Sequence, residues 1–223
     1  MPRHAPDGFL EVNMDFEKAK EMPCFKDRLV RLRREYDKQR REKLPQLTRE
    51  LFDYFYETGS RKEYEEQYFK RRSALLNAAL VSLIYGEGID YLAGITEEIC
   101  TEFTWALPAH MAKDNQNPER VIDLFAAETG EALSEICALL GDKLPQATVK
   151  TIKNELMRRI VLPFEEEAFA WEKFTHNWAA VCGGCVGITF MYMFPERFEN
   201  IEGRLVKTME NYISGFGDDG ISP

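Results

Sequence analysis

The sequence predicts an all-α fold assembled from helical hairpins. Apolar residues recur at three- and four-residue intervals through most of the chain, and no stretch alternates convincingly with the two-residue period of a half-buried strand. Glycine and proline breakers separate the periodic runs at the short spacing of packed helix pairs, giving about eight helices.

Residues 1–44 read as an N-terminal extension and an exposed helix. Met1–Asp7 is polar and Pro-containing and does not read as a secretory signal. Cys24–Leu44 is charged, with Phe25, Leu29, Val30 and Leu32 near its start. Residues 45–223 form the main domain. Within it, Ser73–Tyr85 carries Leu75, Leu76, Ala79, Leu80, Leu83 and Ile84 on a helical period. Phe103–Glu119 breaks the pattern with Trp105, Pro108, His110, Asn115, Asn117 and Pro118, and reads as a long polar loop of the kind that carries function.

Phe125, Ala126, Ala132, Leu133, Ile136, Cys137 and Leu140 mark a helix beginning near Val121. Val149, Ile152, Leu156 and Ile160 mark another, ended or kinked by Pro163. Asn177–Phe194 holds no charged residue, which predicts the central, all-round buried helix of the domain. Ala179, Gly183 and Gly187 stand four apart on it and admit a close neighbour. The run is too short and glycine-interrupted for a membrane span. Thr58-Gly59-Ser60, Gly86-Glu87-Gly88, Leu144-Pro145 and Phe194-Pro195 read as short connections.

Composition excludes several functions. With 38 acidic against 29 basic residues, net −9, the chain has the wrong sign for a general nucleic-acid or anionic-membrane binder, and neither partner is expected. At 223 residues and 44% hydrophobic composition it can bury a core without staples. Five cysteines, an odd number widely spread, argue against a disulfide framework and for a reducing, cytoplasmic compartment, unless a leader has been removed.

The candidate residues each have a plain and a chemical reading. Thr175-His176-Asn177-Trp178 opens the central helix; Thr175 or Asn177 can cap it, and the unpaired backbone donors there attract carboxylates. His110 is either a ligand-contacting loop histidine or an ordinary surface one. Trp105, Trp171 and Trp178 suit either sugar stacking or the core. Cys182 and Cys185 read as packed thiols, because no further ligands complete a zinc set. Glu128 shares a solvated face with Glu131 and Glu135, and the adjacent acids Glu97-Glu98 and Asp218-Asp219 are not specific. No serine nucleophile motif, phosphate loop or metal set is present, and no cofactor is implied.

Several segments together resemble heparinase II/III-like polysaccharide lyases in their N-terminal helical region. These are Trp105-Ala-Leu-Pro-Ala-His110, Ile122-Asp-Leu-Phe-Ala-Ala-Glu128-Thr129, Arg158-Arg159-Ile160 with Pro163, His176-Asn177-Trp178-Ala-Ala-Val-Cys182 with Gly184, and Asp219-Gly220-Ile221-Ser222-Pro223. The resemblance implies an incomplete (α/α) toroid over residues 45–223 and β-elimination at uronic-acid residues of an acidic polysaccharide. It makes Asn177 the group that neutralises the substrate carboxylate, with His176 beside it where the family usually carries a second Asn. The substrate-binding set expected with them is His110, Trp105, Trp178 and Glu128. The acidic balance sits awkwardly with a polyanionic substrate; Arg120, Arg158 and Arg159 could supply local compensation, and the sequence does not place them.

In the family a Tyr-bearing motif follows the Asp-Gly turn. The 223-residue chain alone is therefore expected to show little lyase activity and to self-associate through uncovered helix faces. A non-catalytic helical scaffold module and an (α/α) glycoside hydrolase working through a carboxylate pair are the competing readings.

Overall fold

Helix boundaries follow local chemistry closely enough to trace the fold from them. The computed structural model describes residues 16–220, which form ten α-helices and no strand. Met1–Asp7 and Ile221–Pro223 lie outside the described residues. The described residues begin with α1 (Phe16–Glu21) and the mostly exposed α2 (Pro23–Gln39), as expected for the N-terminal segment. Thr48 accepts the Leu51 N–H at 3.2 Å and opens α3 (Arg49–Thr58), which Gly59 ends. The 24-residue α4 (Lys62–Tyr85) is longer than its apolar periodicity suggested. It turns through Gly86-Glu87-Gly88 into α5 (Ile89–Cys100). Gly88 has φ +76°, and a Cβ there would lie 2.1 Å from the Tyr36 hydroxyl, so only glycine fits.

After the loop, Asp123 caps α6 (Leu124–Leu140) by accepting the Ala126 N–H at 2.7 Å; the helix therefore starts three residues later than Val121. The next helix neither ends nor breaks at Pro163. After α7 (Gln146–Leu156) it widens into a π-turn over Met157–Val161 and continues as α8 (Leu162–Glu166). The π-turn absorbs the missing proline N–H and the ring's clash with the preceding turn. The charge-free helix α9 (Asn177–Met193) is followed by α10 (Glu202–Ile213).

The contacts arrange these helices in two layers. Tyr68 and Arg72 of α4 bond to Phe125 and Thr129 of α6, so residue numbers rise together and the two helices are parallel. Trp178 of α9 and Phe125 of α6 both pack on His110, and further along Cys185 of α9 donates to Glu131 of α6 at 2.8 Å, so α6 and α9 are parallel as well. In the second layer, Thr148 of α7 donates to Glu97 of α5, and Arg159 reaches the Cys100 carbonyl, which makes α5 and α7 parallel. Each member of the first layer pairs with an antiparallel member of the second as a hairpin. The α9–α10 pair closes tightly because Gly183 faces Thr208 and Met209 while Gly187 faces Leu205, as the small-residue spacing predicts.

The core runs between the layers and includes Leu75, Leu92, Ile99, Ile136, Ile152, Phe164 and Phe190. It also contains charge. Glu102, at the end of α5, accepts Arg71 Nε at 2.6 Å and both terminal nitrogens of Arg72 at 2.9 and 2.7 Å. Arg159 lies over the Trp105 ring, 4.8 Å from its centroid, and donates to the Glu102 carbonyl.

The loop of residues 103–119 is only half polar surface. Thr104–Pro108 is buried, and only the stretch from Ala112 to Asn117 is exposed.

Candidate functional site

Parallel α6 and α9 bring their N-terminal ends together, and His110 reaches that end from the loop. Its ring stacks on Phe125, one residue into α6 (centroids 5.7 Å apart, 11° between planes), and meets the edge of Trp178 at 4.9 Å. Phe125 in turn packs against the exposed Phe69 of α4 at 5.2 Å. His110, Trp178, Phe125 and Phe69 thus form one aromatic run across the three parallel helices.

Asp123 lies beneath His110. Its side chain is fully buried, and His110 Nδ1 is 2.7 Å from Oδ2. The same oxygen accepts the Leu107 N–H at 3.1 Å, while Oδ1 caps α6. This residue was missed in the sequence. Its only signal was a helix-capping type just before an apolar run, thirteen residues from the histidine it holds.

The start of α9 differs from expectation in detail. Neither Thr175 nor Asn177 caps it. His176 does, its Nδ1 accepting the Trp178 N–H at a long 3.5 Å while its ring packs on Phe174. Asn177 is thereby left exposed as the first helical residue, with its amide in solvent, and α9 has no acidic residue in its first turn. Gly215, beyond α10, presses on this segment: a Cβ there would lie 2.1 Å from the Thr175 carbonyl oxygen. Gly215→Val is expected to displace the start of α9 and to broaden or shift the His176 and Asn177 amide resonances in a two-dimensional NMR spectrum. An unchanged spectrum at that segment would refute the contact.

Glu128 lies one turn into α6, and partial burial together with the nearby Glu131 and Asp123 raises its carboxyl above the usual range. A raised carboxylate pKa favours the fold when protonated, and that advantage is lost as pH rises through it. Glu128→Gln is therefore expected to stabilise slightly at pH 7, by at most about 0.5 kcal/mol, and not at about pH 3. Urea unfolding at the two pH values checks the sign.

Trp105 and the arginines depart from the readings above. Trp105 is 1% exposed, and its indole N–H donates to the Ile99 carbonyl at 2.9 Å. It is a core residue and cannot stack on a sugar, because its faces are covered by Arg159 and neighbouring apolar groups. Trp171 is likewise buried, donating to the Ile122 carbonyl. The arginines do not relieve the acidic balance either: Arg120 is paired with Glu166 and Glu167, and Arg158 and Arg159 with Glu155.

Cys182 and Cys185 are buried, and burial pushes both thiols up, so neither is a ready nucleophile. Among the described residues no cluster of His, Cys, Asp or Glu could hold a metal, and no helix is long and apolar enough to cross a membrane. A separate cleft of about 480 Å³ between α2 and α4, lined by Glu35, Lys38, Glu42, Lys43 and Lys70 among others, shares no residue with this site.

The site therefore joins an exposed amide at a helix N-terminus, an oriented histidine and an aromatic edge. No known family model matches the chain and no curated protein matches it, so its residues alone carry the functional reading.

Proposed function

We propose that the chain is the N-terminal helical part of a polysaccharide lyase that cleaves uronic-acid-containing polysaccharide by β-elimination. The observation that carries the reading is the contact of His110 with Trp178, the residue that follows the exposed Asn177 at the N-terminal end of α9. In such a reaction a base removes the proton from the carbon bearing the carboxylate. That electron pair forms the new C=C bond, and the C–O bond to the next sugar breaks, the leaving oxygen taking a proton. Charge develops on the carboxylate in the transition state, so donors aimed at it accelerate the step. The Asn177 amide and the α9 N-terminus are such donors, and Trp178 offers a ring edge for a sugar.

Two further observations support this reading. The layered, parallel hairpins are the local arrangement that an incomplete (α/α) toroid requires. Exposed Leu76, Leu80, Leu139, Val206 and Ile213 supply the uncovered apolar surface that such an incomplete ring would leave. The hydrolase reading is weaker, because Asp123 is buried and engaged by the Leu107 and Ala126 N–H groups and by His110 Nδ1, and is not available to pair with Glu128.

The test is an NMR titration of the full chain with oligosaccharides of glucuronate, mannuronate and galacturonate. Resonances of His110, Asn177 and Trp178 are expected to move together. Asn177→Ala should weaken binding by roughly tenfold or more, the worth of one hydrogen bond to a charged group, without lowering the melting midpoint. No perturbation by any uronide, or equal binding by the variant, would sink the proposal.

A further inference from the structure

We infer that Asp123 is a positioning residue that locks His110 in the tautomer carrying its proton on Nδ1, leaving Nε2 as the proton acceptor of the site. The inference rests on the lyase reading for what Nε2 acts on, but the geometry behind it is independent of any substrate.

Three contacts fix the ring. Oδ2 of Asp123 lies 2.7 Å from Nδ1, Phe125 lies flat against one face, and the Trp178 edge closes a second side. The carboxylate is itself fixed, because backbone N–H groups of Leu107 and Ala126 hold one oxygen each. It is fully buried and accepts a backbone N–H on each oxygen, which suits an acceptor and not a second acid. A carboxylate that only accepts requires Nδ1 to donate, and in the neutral ring this leaves the lone pair on Nε2. The His110 side chain keeps 12% of its surface exposed, so the ring is held by the interior yet reaches solvent. The Trp178 edge is its neighbour from α9, and Asn177, the residue before Trp178, is exposed at the same helix end. An acceptor for a proton and a donor for the adjoining carboxylate are the two groups β-elimination needs side by side.

The test needs no substrate. Long-range proton–nitrogen NMR correlations of the full chain at about pH 8.5, well above the ordinary imidazole value, report which ring nitrogen of His110 bears hydrogen. The expected result is hydrogen on Nδ1. Asp123→Asn can keep the α6 cap through its carbonyl oxygen, but it turns an NH₂ toward the ring. It is expected to move the hydrogen from Nδ1 to Nε2. Hydrogen on Nε2 in the unaltered chain, or a folded Asp123→Asn chain that retains hydrogen on Nδ1, would overturn the assignment. If the variant does not fold, the measurement on the unaltered chain still decides.

The outcome is separable from the functional reading. A chain with hydrogen on Nδ1 that binds no uronide keeps the Asp123–His110 pairing and loses the lyase. A chain that binds uronides through Asn177 with hydrogen on Nε2 keeps the lyase and loses this role for Asp123.

Discussion

Glu102→Ala is expected to lower the thermal midpoint by roughly 6–20 °C, the equivalent of about 3–5 kcal/mol at this chain length. The reason lies in what the substitution strands. Glu102 is the shared acceptor of Arg71 and Arg72, whose side chains are largely removed from water. Arg71 retains the Pro45 carbonyl and a longer contact to the exposed Glu98, and Arg72 retains Thr129, but neither keeps a buried counter-charge. A buried charge that loses its partner costs far more than the pair contributed. Glu102→Gln should fall between, since it keeps the shape and an acceptor oxygen but not the charge. Circular dichroism melts of the three proteins provide the check. A loss under about 1 kcal/mol for alanine would mean that the pairs behave as surface ion pairs do, and that the network is far wetter than its burial indicates.

The second large effect separates two tryptophans that look alike in the sequence. Trp105→Ala should cost about 3–5 kcal/mol, because it empties a fully enclosed volume, leaves the Ile99 carbonyl without its donor and uncovers Arg159. Trp178→Ala should cost distinctly less, since that ring is only half-buried, while abolishing the edge contact with His110 and weakening any sugar binding there. Unfolding curves and oligouronide titrations on both variants test the contrast. Equal stability losses would remove the distinction between a core indole and a site indole.

That contrast also shows how far the sequence could be read. Helices α6 and α9 were legible because periodicity reports which face is apolar, and the charge-free run from Asn177 could only be a buried helix. The breaks at Gly59, Gly86 and Gly88 were legible because left-handed backbone has few residue choices. Period says nothing about contacts across the chain, however. Trp105 and Trp178 have the same local signature, and only the packing of α5 against the loop separates them. Asp123 reads as a helix cap and is one, but its bond to His110 depends on how a loop folds back. Arg159 reads as a free cation, whereas the π-turn carries it inward to the Glu102 carbonyl. Nor do Arg120, Arg158 and Arg159 relieve the acidic balance, because each is paired with a glutamate.

The hairpin layers give the molecule two unlike ends. Segments that lead into α6 and α9, residues 101–123 and 167–176, are long and carry His110, Asp123 and His176. Segments that lead out of α4, α6 and α9, at residues 86–88, 141–145 and 194–201, are shorter and lie at the opposite pole. Insertions and fused tags at those exit turns should therefore leave the His110 end undisturbed, provided that Gly88 is kept. The surface around His110 and His176 can therefore be rebuilt through the entry segments while the turns at the other pole stay as they are.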